Sequence, residues 1–299
     1  MNENTKSIFV AIVGRPNVGK SSLLNRLVGE KVAIVTAKPQ TTRNRITGIV
    51  TKGPVQYVFM DTPGIHPPHN KLGQRMAKTA QTSVAEGDAV LMLFEPFGEF
   101  TQTETEMIAG LKAGKVPAIA VVNKADTAAD KEALAPKVQA LQALNTFESV
   151  EVASAQTGQG CEELFAKLAN HAVEGPHYFS QDDYTDLPEK QLVAEIIREK
   201  LLLHMQQEIP HGTAVEIERF KEREDKPIVE IDATIFCEKK SHKGMIIGKG
   251  GQMLKTIASE ARVDIEELLG TKVHLQCWVK IKSDWRDNDY LLNSFGFAK

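Results

Sequence analysis

An apolar run, Ile8 to Val13, leads directly into Gly14-Arg15-Pro16-Asn17-Val18-Gly19-Lys20-Ser21, and Ser22-Leu23-Leu24 then opens a helical pattern. This is G-x-x-x-x-G-K-[S/T] set between a strand and a helix, the context in which the pattern carries a mechanism. Gly14 and Gly19 let the backbone wrap closely, so that successive N–H groups and the helix N-terminus face an anion. Lys20 adds a point charge for the outer phosphates of a nucleotide, and Ser21 a hydroxyl for Mg²⁺. A glycine turn that merely caps a helix would not need the lysine and the serine at these places. A chain built this way has little choice but a phosphate-binding α/β sheet.

The surrounding pattern agrees. Candidate strands at Ile8 to Val13, Ile46 to Thr51, Val55 to Met60, Ala89 to Phe94, Ala118 to Val122 and Ser149 to Val152 alternate with helical spacings such as Thr103 to Ala113 and Lys131 to Leu144. Alternation of strands and helices predicts a mainly parallel, doubly wound sheet. The second and third strands are too close for a helical crossover and are expected to pair antiparallel.

Two further motifs fall at strand ends. Asp61-Thr62-Pro63-Gly64 follows the third strand, where a switch-type sheet places a metal-side acid. Asp61 is expected to hold Mg²⁺, and the Gly64 N–H to meet the γ-phosphate and lose it on hydrolysis. Asn123-Lys124-Ala125-Asp126 follows the fifth strand. A carboxylate at Asp126 can accept from N1–H and the 2-amino group of guanine, whereas adenine would leave it unpaired. Discrimination of that kind can reach ~10⁴-fold. Asn123 would tie the base loop to the phosphate loop, the Lys124 stem would cover the base, and Ala155 of Ser154-Ala155 would offer its N–H to guanine O6.

GxxxxGK[S/T], DxxG, NKxD and SA in this order resemble the translation-factor-related GTPases, over the whole first half of the chain. The resemblance implies a P-loop GTPase domain that hydrolyses GTP. It also marks Gln40-Thr41-Thr42-Arg43 as the first switch, with Thr42 favoured over Thr41 as the Mg²⁺ ligand. The expected metal set is therefore Ser21, Thr42 and Asp61. The expected nucleotide site is Gly14, Arg15, Pro16, Asn17, Val18, Gly19, Lys20, Ser21, Ser22, Asp61, Thr62, Pro63, Gly64, Asn123, Lys124, Asp126, Ser154 and Ala155. Hydrolysis is assigned to Asn17, Lys20, Thr42 and Gly64. Ile65 follows DTPG where Ras-like switches use a glutamine to orient water, so slow basal turnover is expected. Related GTPases with a hydrophobic residue there often carry an asparagine at the place of Asn17, which makes Asn17 a candidate for helping to bind K⁺.

Glu174 to Lys190 (EGPHYFSQDDYTDLPEK) has two prolines and no apolar period, as a linker would. The expected division is a GTPase domain over 1–175, a linker over 176–190, and a smaller α+β domain with a C-terminal tail over 191–299. The second domain reads as a helix (Gln191 to Gln206), two strands (Thr213 to Phe220, Ile228 to Cys237), a glycine turn, a helix near Gln252 to Leu269 and a strand near Val273 to Ile281. The turn, Gly248-Lys249-Gly250-Gly251, lies in a basic stretch. Lys239, Lys240, Lys243, Lys249, Lys255 and Arg262 face only Glu260 between 239 and 262. Because the chain as a whole carries a formal charge of -3, any nucleic-acid surface must be local. The order helix–strand–strand–helix–GxxG–helix–strand resembles the type II KH domain, whose turn clamps about four nucleotides of a single strand. That resemblance implies RNA contacts at Lys243, Gly248, Lys249, Gly250, Gly251 and Lys255.

A switch GTPase followed by a KH domain, with PQTTRNRITGI, DTPGIHPPHN, YFSQDDYTD and EIIREKLL, resembles the Era/TrmE-like GTPases over nearly the full length. The resemblance implies binding near the 3′ end of 16S ribosomal RNA, a role in small-subunit assembly, a monomer, and a cytoplasmic place with peripheral contact at the inner face of the cell membrane. GTP-driven RNA modification and a membrane-associated regulatory switch are the alternatives. Neither a second catalytic constellation in 176–299 nor a lipidated or strongly amphipathic terminus supports them. No apolar run reaches the ~20 residues that span a bilayer. Cys161, Cys237 and Cys277 are widely spaced, as expected of reduced thiols in a cytosol. His66 and His69, separated by two prolines, read as a mobile loop rather than a metal pair.

Overall fold

The computed structural model describes residues 5–64, 68–130, 132–206 and 209–297. They form two compact units: Met1–Ala33, Thr42–Pro68 and Gly73–Asp186 in the first, and Ile34–Thr41, His69–Leu72 and Leu187–Lys299 in the second.

The first unit is built from β1 (Lys6–Gly14), α1 (Lys20–Val28), β2 (Ile46–Lys52), β3 (Val55–Asp61), α2 (Lys71–Glu86), β4 (Ala89–Phe94), α3 (Gln102–Ala113), β5 (Ala118–Val122), α4 (Ala135–Ala143), β6 (Ser149–Val152), α5 (Cys161–Ala169) and β7 (Val173–Glu174). Its described strands run in the order β2-β3-β1-β4-β5-β6, with β7 pairing β1. β3, β1, β4, β5 and β6 are parallel neighbours, and β2 lies antiparallel to β3 from Ile46 opposite Asp61 to Lys52 opposite Val55. β3, β4 and β5 are buried along their whole length, as expected of strands with helices on both faces. The helical pattern over 131–144 starts its α-helix only at Ala135, after a 3₁₀ turn at Glu132–Leu134. Pro136 explains the start, since a proline without an N–H fits only the first turn.

The segment expected as a linker over 176–190 packs with this unit up to Asp186, and its last residues go with the second unit. Gln56 is fully buried on β3, and its side chain does for the strap what a strand would do. Its Oε1 accepts from the N–H groups of Tyr178 (2.8 Å) and Phe179 (3.0 Å), and its Nε2 donates to the Phe179 carbonyl at 3.0 Å. The Ile49 N–H donates to Tyr184 O, the Thr185 hydroxyl donates to Thr47 O, and the Tyr178 ring meets Phe9 edge to face. The strap thus satisfies the outer edge of β2, which an exposed edge strand would otherwise offer to another chain. Its polar, proline-bearing composition hides this because the ordering is done by backbone groups.

In the second unit α6 (Glu189–His204), α7 (Lys240–Ile247) and α8 (Gln252–Leu269) accompany β8 (Thr213–Glu222), β9 (Ile228–Cys237) and β10 (Lys272–Ile281), with α9 (Asp289–Ser294) last. β8 is antiparallel and β10 parallel to the central β9. Val229, Ile231, Ala233, Ile235 and Cys237 of β9 meet Val193, Ile197 and Leu201 of α6 and Ile257, Ala261 and Ile265 of α8 in one core. The period of two in the strand and of three to four in the helices produces this single apolar interface. Trp285, to which the sequence alone assigns no place, is fully buried. Its indole N–H donates to Gly212 O at 3.0 Å, and Phe295 and Phe297 pack on its ring. Removing such a ring from a core costs about 3–5 kcal/mol, so Trp285 is what seats the C-terminal tail. Ile34–Thr41 also belongs to this unit. There the Lys38 ammonium donates to the carbonyls of Leu202 and Met205 at the end of α6, as a cation at a helix C-terminus should. Glu199 accepts from the Val35 N–H, and Arg198 donates to Thr41 O.

Candidate functional site

The phosphate loop leaves β1 at Gly14 and enters α1 at Lys20. Gly19, the N-cap of α1, has φ +99°, and a Cβ there would stand 2.3 Å from the Asn123 amide nitrogen. Only glycine allows the phosphate loop and the base loop to approach so closely. Lys20 is buried and donates to the carbonyls of Gly14 (3.2 Å) and Arg15 (3.1 Å), which holds its ammonium inside the loop. Burial pushes its pKa down, and the nearby Asp61 carboxylate opposes that shift. Asn17 sits exposed at the loop's tip with φ +64°.

Three oxygens converge beside Lys20. Ser21 Oγ donates to Asp61 Oδ2 at 2.6 Å, Ser21 Oγ and Thr42 Oγ1 share a hydrogen bond of 2.8 Å, and the Thr42 hydroxyl reaches Asp61 Oδ2 at 3.4 Å. The neighbouring Thr41 hydroxyl is turned elsewhere and donates to Lys38 O at 2.6 Å. Asp61 is fully buried, and among the described residues its Oδ1 has no hydrogen-bond partner. Burial raises its pKa to about 6 against the lowering pull of Lys20, Ser21 and Thr42. A buried carboxylate with an orphaned oxygen next to two hydroxyls is a hard-oxygen donor set suited to a small divalent cation. Thr62 anchors the following loop by donating to Ile12 O at 2.8 Å, and Gly64 passes so close to Pro16 that a Cβ would meet it at 2.9 Å. Pro63 lies between them. Ile65 and His66 lie outside the described residues.

The base loop is organised from the same sheet edge. Asn123 Nδ2 donates to Val18 O at 2.9 Å, and its Oδ1 accepts from the Ala155 N–H at 3.3 Å, so one amide joins three loops. Lys124, at φ +60°, caps the 3₁₀ turn Ala125–Thr127 that carries Asp126. Asp126 Oδ1 accepts from the Ser154 hydroxyl, whose oxygen in turn accepts from the Thr157 N–H. Ser22 and Ala155 line a cavity of about 380 Å³ with Asn25, Arg26, Gly29, Glu30 and Lys31.

Two residues here carry no motif signal. Arg26 of α1 donates from Nε to Ala155 O at 2.9 Å and from its terminal nitrogen to Gln156 O. Glu95, just past β4, accepts from Lys124 at 2.8 Å and from Arg15. An acidic residue at the end of a strand becomes informative only when the strand's neighbours are known.

In the second unit, α7 ends at Gly248 (φ +73°), and Gly250 (φ +60°) and Gly251 (φ +80°) complete the turn into α8. A Cβ on Gly248 would press to 2.6 Å from the Met253 Cβ, whereas Gly250 and Gly251 look onto open space. Lys249 and Lys255 are exposed and Lys243 is partly so, and among the described residues none of the three has a carboxylate partner. Ile246 points into the core, with Ile247 and Leu254 packed against it. Among the described residues no cluster of His, Cys, Asp and Glu could hold a metal ion, Cys161, Cys237 and Cys277 are free thiols, and no helix is long and apolar enough to cross a membrane.

Residues 9–124 match the family described as 50S ribosome-binding GTPase, and residues 208–286 match the KH domain family. GTPase Era of Caldicellulosiruptor saccharolyticus is 47% identical over 98% of this chain and 97% of its own, and GTPase Era of Caldanaerobacter subterraneus 48% identical over 97% of each. The chain belongs to the Era family of GTPases. Solved structures agree over the whole fold. An Aquifex aeolicus Era variant bound to GDP·AlF4⁻ superposes with a TM-score of 0.95 at 35% identity, covering 99% of this chain and 100% of that one. Era in complex with MgGDPNP and nucleotides 1506–1542 of 16S ribosomal RNA gives the same TM-score, identity and coverage. This Era-family enzyme is therefore a GTPase with a P-loop α/β domain and a C-terminal KH domain.

Proposed function

We propose that the chain is a Mg²⁺-dependent GTP switch that binds the 3′ end of 16S ribosomal RNA through its GKGG turn and assists assembly of the small ribosomal subunit. The observation that carries the nucleotide half is the convergence of Ser21, Thr42 and Asp61 within hydrogen-bond distance of one another beside Lys20. These residues would hold Mg²⁺, which neutralises charge on the outer phosphates when bound. Lys20 adds a cation on the phosphate side, the Gly64 N–H faces the γ-phosphate, and Thr42 links the first switch to the presence of that phosphate. Asp126, held by Ser154, reads the guanine edge. The RNA half rests on Lys243, Lys249 and Lys255 around a turn whose two open glycines let a sugar–phosphate backbone come close, and on the 16S fragment that the related Era structure holds. Crosslinking in cells followed by sequencing should concentrate reads at the 16S 3′ end. An even spread over ribosomal RNA would overturn the assigned target.

The catalytic charge is proposed to be completed by K⁺ near Asn17, whose left-handed backbone puts it at the exposed tip of the phosphate loop. Exchanging K⁺ for Na⁺ at constant ionic strength should lower turnover by roughly 100-fold, the lower end of what a single missing transition-state contact costs. Equal rates in the two salts would leave Asn17 with only a loop-shaping part.

A further inference from the structure

The strand order β1-β4-β5 sets the end of β4 between the strand that delivers the phosphate loop and the strand that delivers the base loop. The residue standing there is Glu95, and Pro96 after it favours an extended Glu95 and a chain that turns away from the strand. Its two carboxylate oxygens are divided between the loops: Oε1 accepts from Lys124 Nζ at 2.8 Å, and Oε2 accepts from the Arg15 guanidinium. Glu104 backs the arrangement from the first turn of α3, 3.9 Å from Arg15 Nε, and is fixed there by Thr101 in a reciprocal capping pair. Lys124 and Arg15 hold the Glu95 carboxyl below the ordinary carboxylate range although its burial works the other way, so it is charged at neutral pH.

We infer that Glu95 is a positioning residue for guanine nucleotides, a carboxylate strut that fixes Lys124 over the base and Arg15 beside the phosphates as one unit. A lysine stem has four rotatable bonds, and an ammonium left in water would let it leave the base face; a fixed acceptor removes that freedom before the nucleotide arrives. The same carboxylate draws Arg15 back from the loop opening, so that its charge is oriented and not wandering. Glu95 touches neither base nor phosphate and acts through the two cations.

The inference rests on the assignment of the base site to Asp126 and Lys124, and the two can fail separately. Dissociation of a fluorescent GDP from the full chain is the readout, with the thermal midpoint of the nucleotide-free protein alongside. Glu95→Ala should release the nucleotide about five- to tenfold faster, between the effect of an exposed ion pair and that of a desolvated charge-assisted hydrogen bond. Glu95→Gln, which keeps the shape and loses the charge, should fall between. Lys124→Ala should have a similar effect, and the double variant Glu95→Ala, Lys124→Ala should fall clearly short of the product of the two single effects, because the strut acts in part through the lysine and only its hold on Arg15 is left to lose. KM for GTP should rise with the dissociation rate while kcat changes less than twofold. Wild-type dissociation in Glu95→Ala, or additive losses in the double variant with a lowered thermal midpoint, would overturn the strut. If Asp126→Asn also released GDP at the wild-type rate, the base-site assignment itself would fall; normal release from Glu95→Ala with fast release from Asp126→Asn would remove the strut alone.

Discussion

Replacing Asp126 by Asn should weaken GTP binding by roughly 100-fold, the loss of a charge-assisted pair of hydrogen bonds, and make xanthosine triphosphate the preferred nucleotide. In the proposed base site the carboxylate would accept twice from the guanine edge. An amide offers one acceptor and one donor, and the donor opposes the guanine 2-amino group while matching the 2-oxo group of xanthine. The structure makes this a clean substitution. Asp126 is held by the Ser154 hydroxyl donating to Oδ1, and an asparagine Oδ1 can accept the same bond, so the loop keeps its shape. Titration of both nucleotides against wild type and variant measures the crossover. Undiminished GTP affinity in the variant would take the base site away from Asp126.

Gly251→Asp should reduce affinity for a single-stranded fragment of the 16S 3′ end by about 30- to 100-fold at low salt, since a negative charge would then stand where the proposed RNA contact brings phosphate. Gly251 is a sharper test than Gly248. At both positions φ is positive, but a Cβ at Gly251 enters open space while one at Gly248 strikes Met253. Aspartate tolerates the left-handed region better than most residues, so the turn survives at Gly251 and only its chemistry changes. At Gly248 the turn itself would have to move. Lys249→Ala should be milder, lowering the slope of log affinity against log salt by about one unit. Anisotropy across a salt series, with GTP turnover measured on the same samples, reads both. Basal turnover should stay within twofold in Gly251→Asp. Wild-type RNA affinity there would make the GKGG turn structural only, and loss of nucleotide binding would mean that the two parts of the chain do not act independently.

The sheet, the antiparallel second strand, the glycine loops and the helix–turn–helix around Gly248 were legible because each is written in residues close together in the chain. A phosphate loop is eight consecutive positions whose glycines permit the backbone path, and β4's uniform apolarity announces a strand buried on both faces. Spacing alone does not separate Thr41 from Thr42, which carry the same hydroxyl in adjacent places, and it was the family resemblance that favoured Thr42. Only the fold turns one toward Ser21 and Asp61 and the other toward Lys38.

What the sequence determined by itself is the set of chemical groups: a lysine in a glycine loop, an aspartate after the fifth strand, a basic glycine turn. Tertiary structure alone decided who stands beside whom. Glu95 acquires its place because β4 inserts between β1 and β5, a consequence of strand order that no spacing along the chain encodes. The strap at 176–186 is ordered by a buried glutamine and by backbone groups of β2, all more than 120 residues away, and the Trp285 indole is anchored to a carbonyl 73 residues upstream. Composition reports whether a segment can bury apolar surface, so it misses segments held by backbone hydrogen bonds to a distant partner.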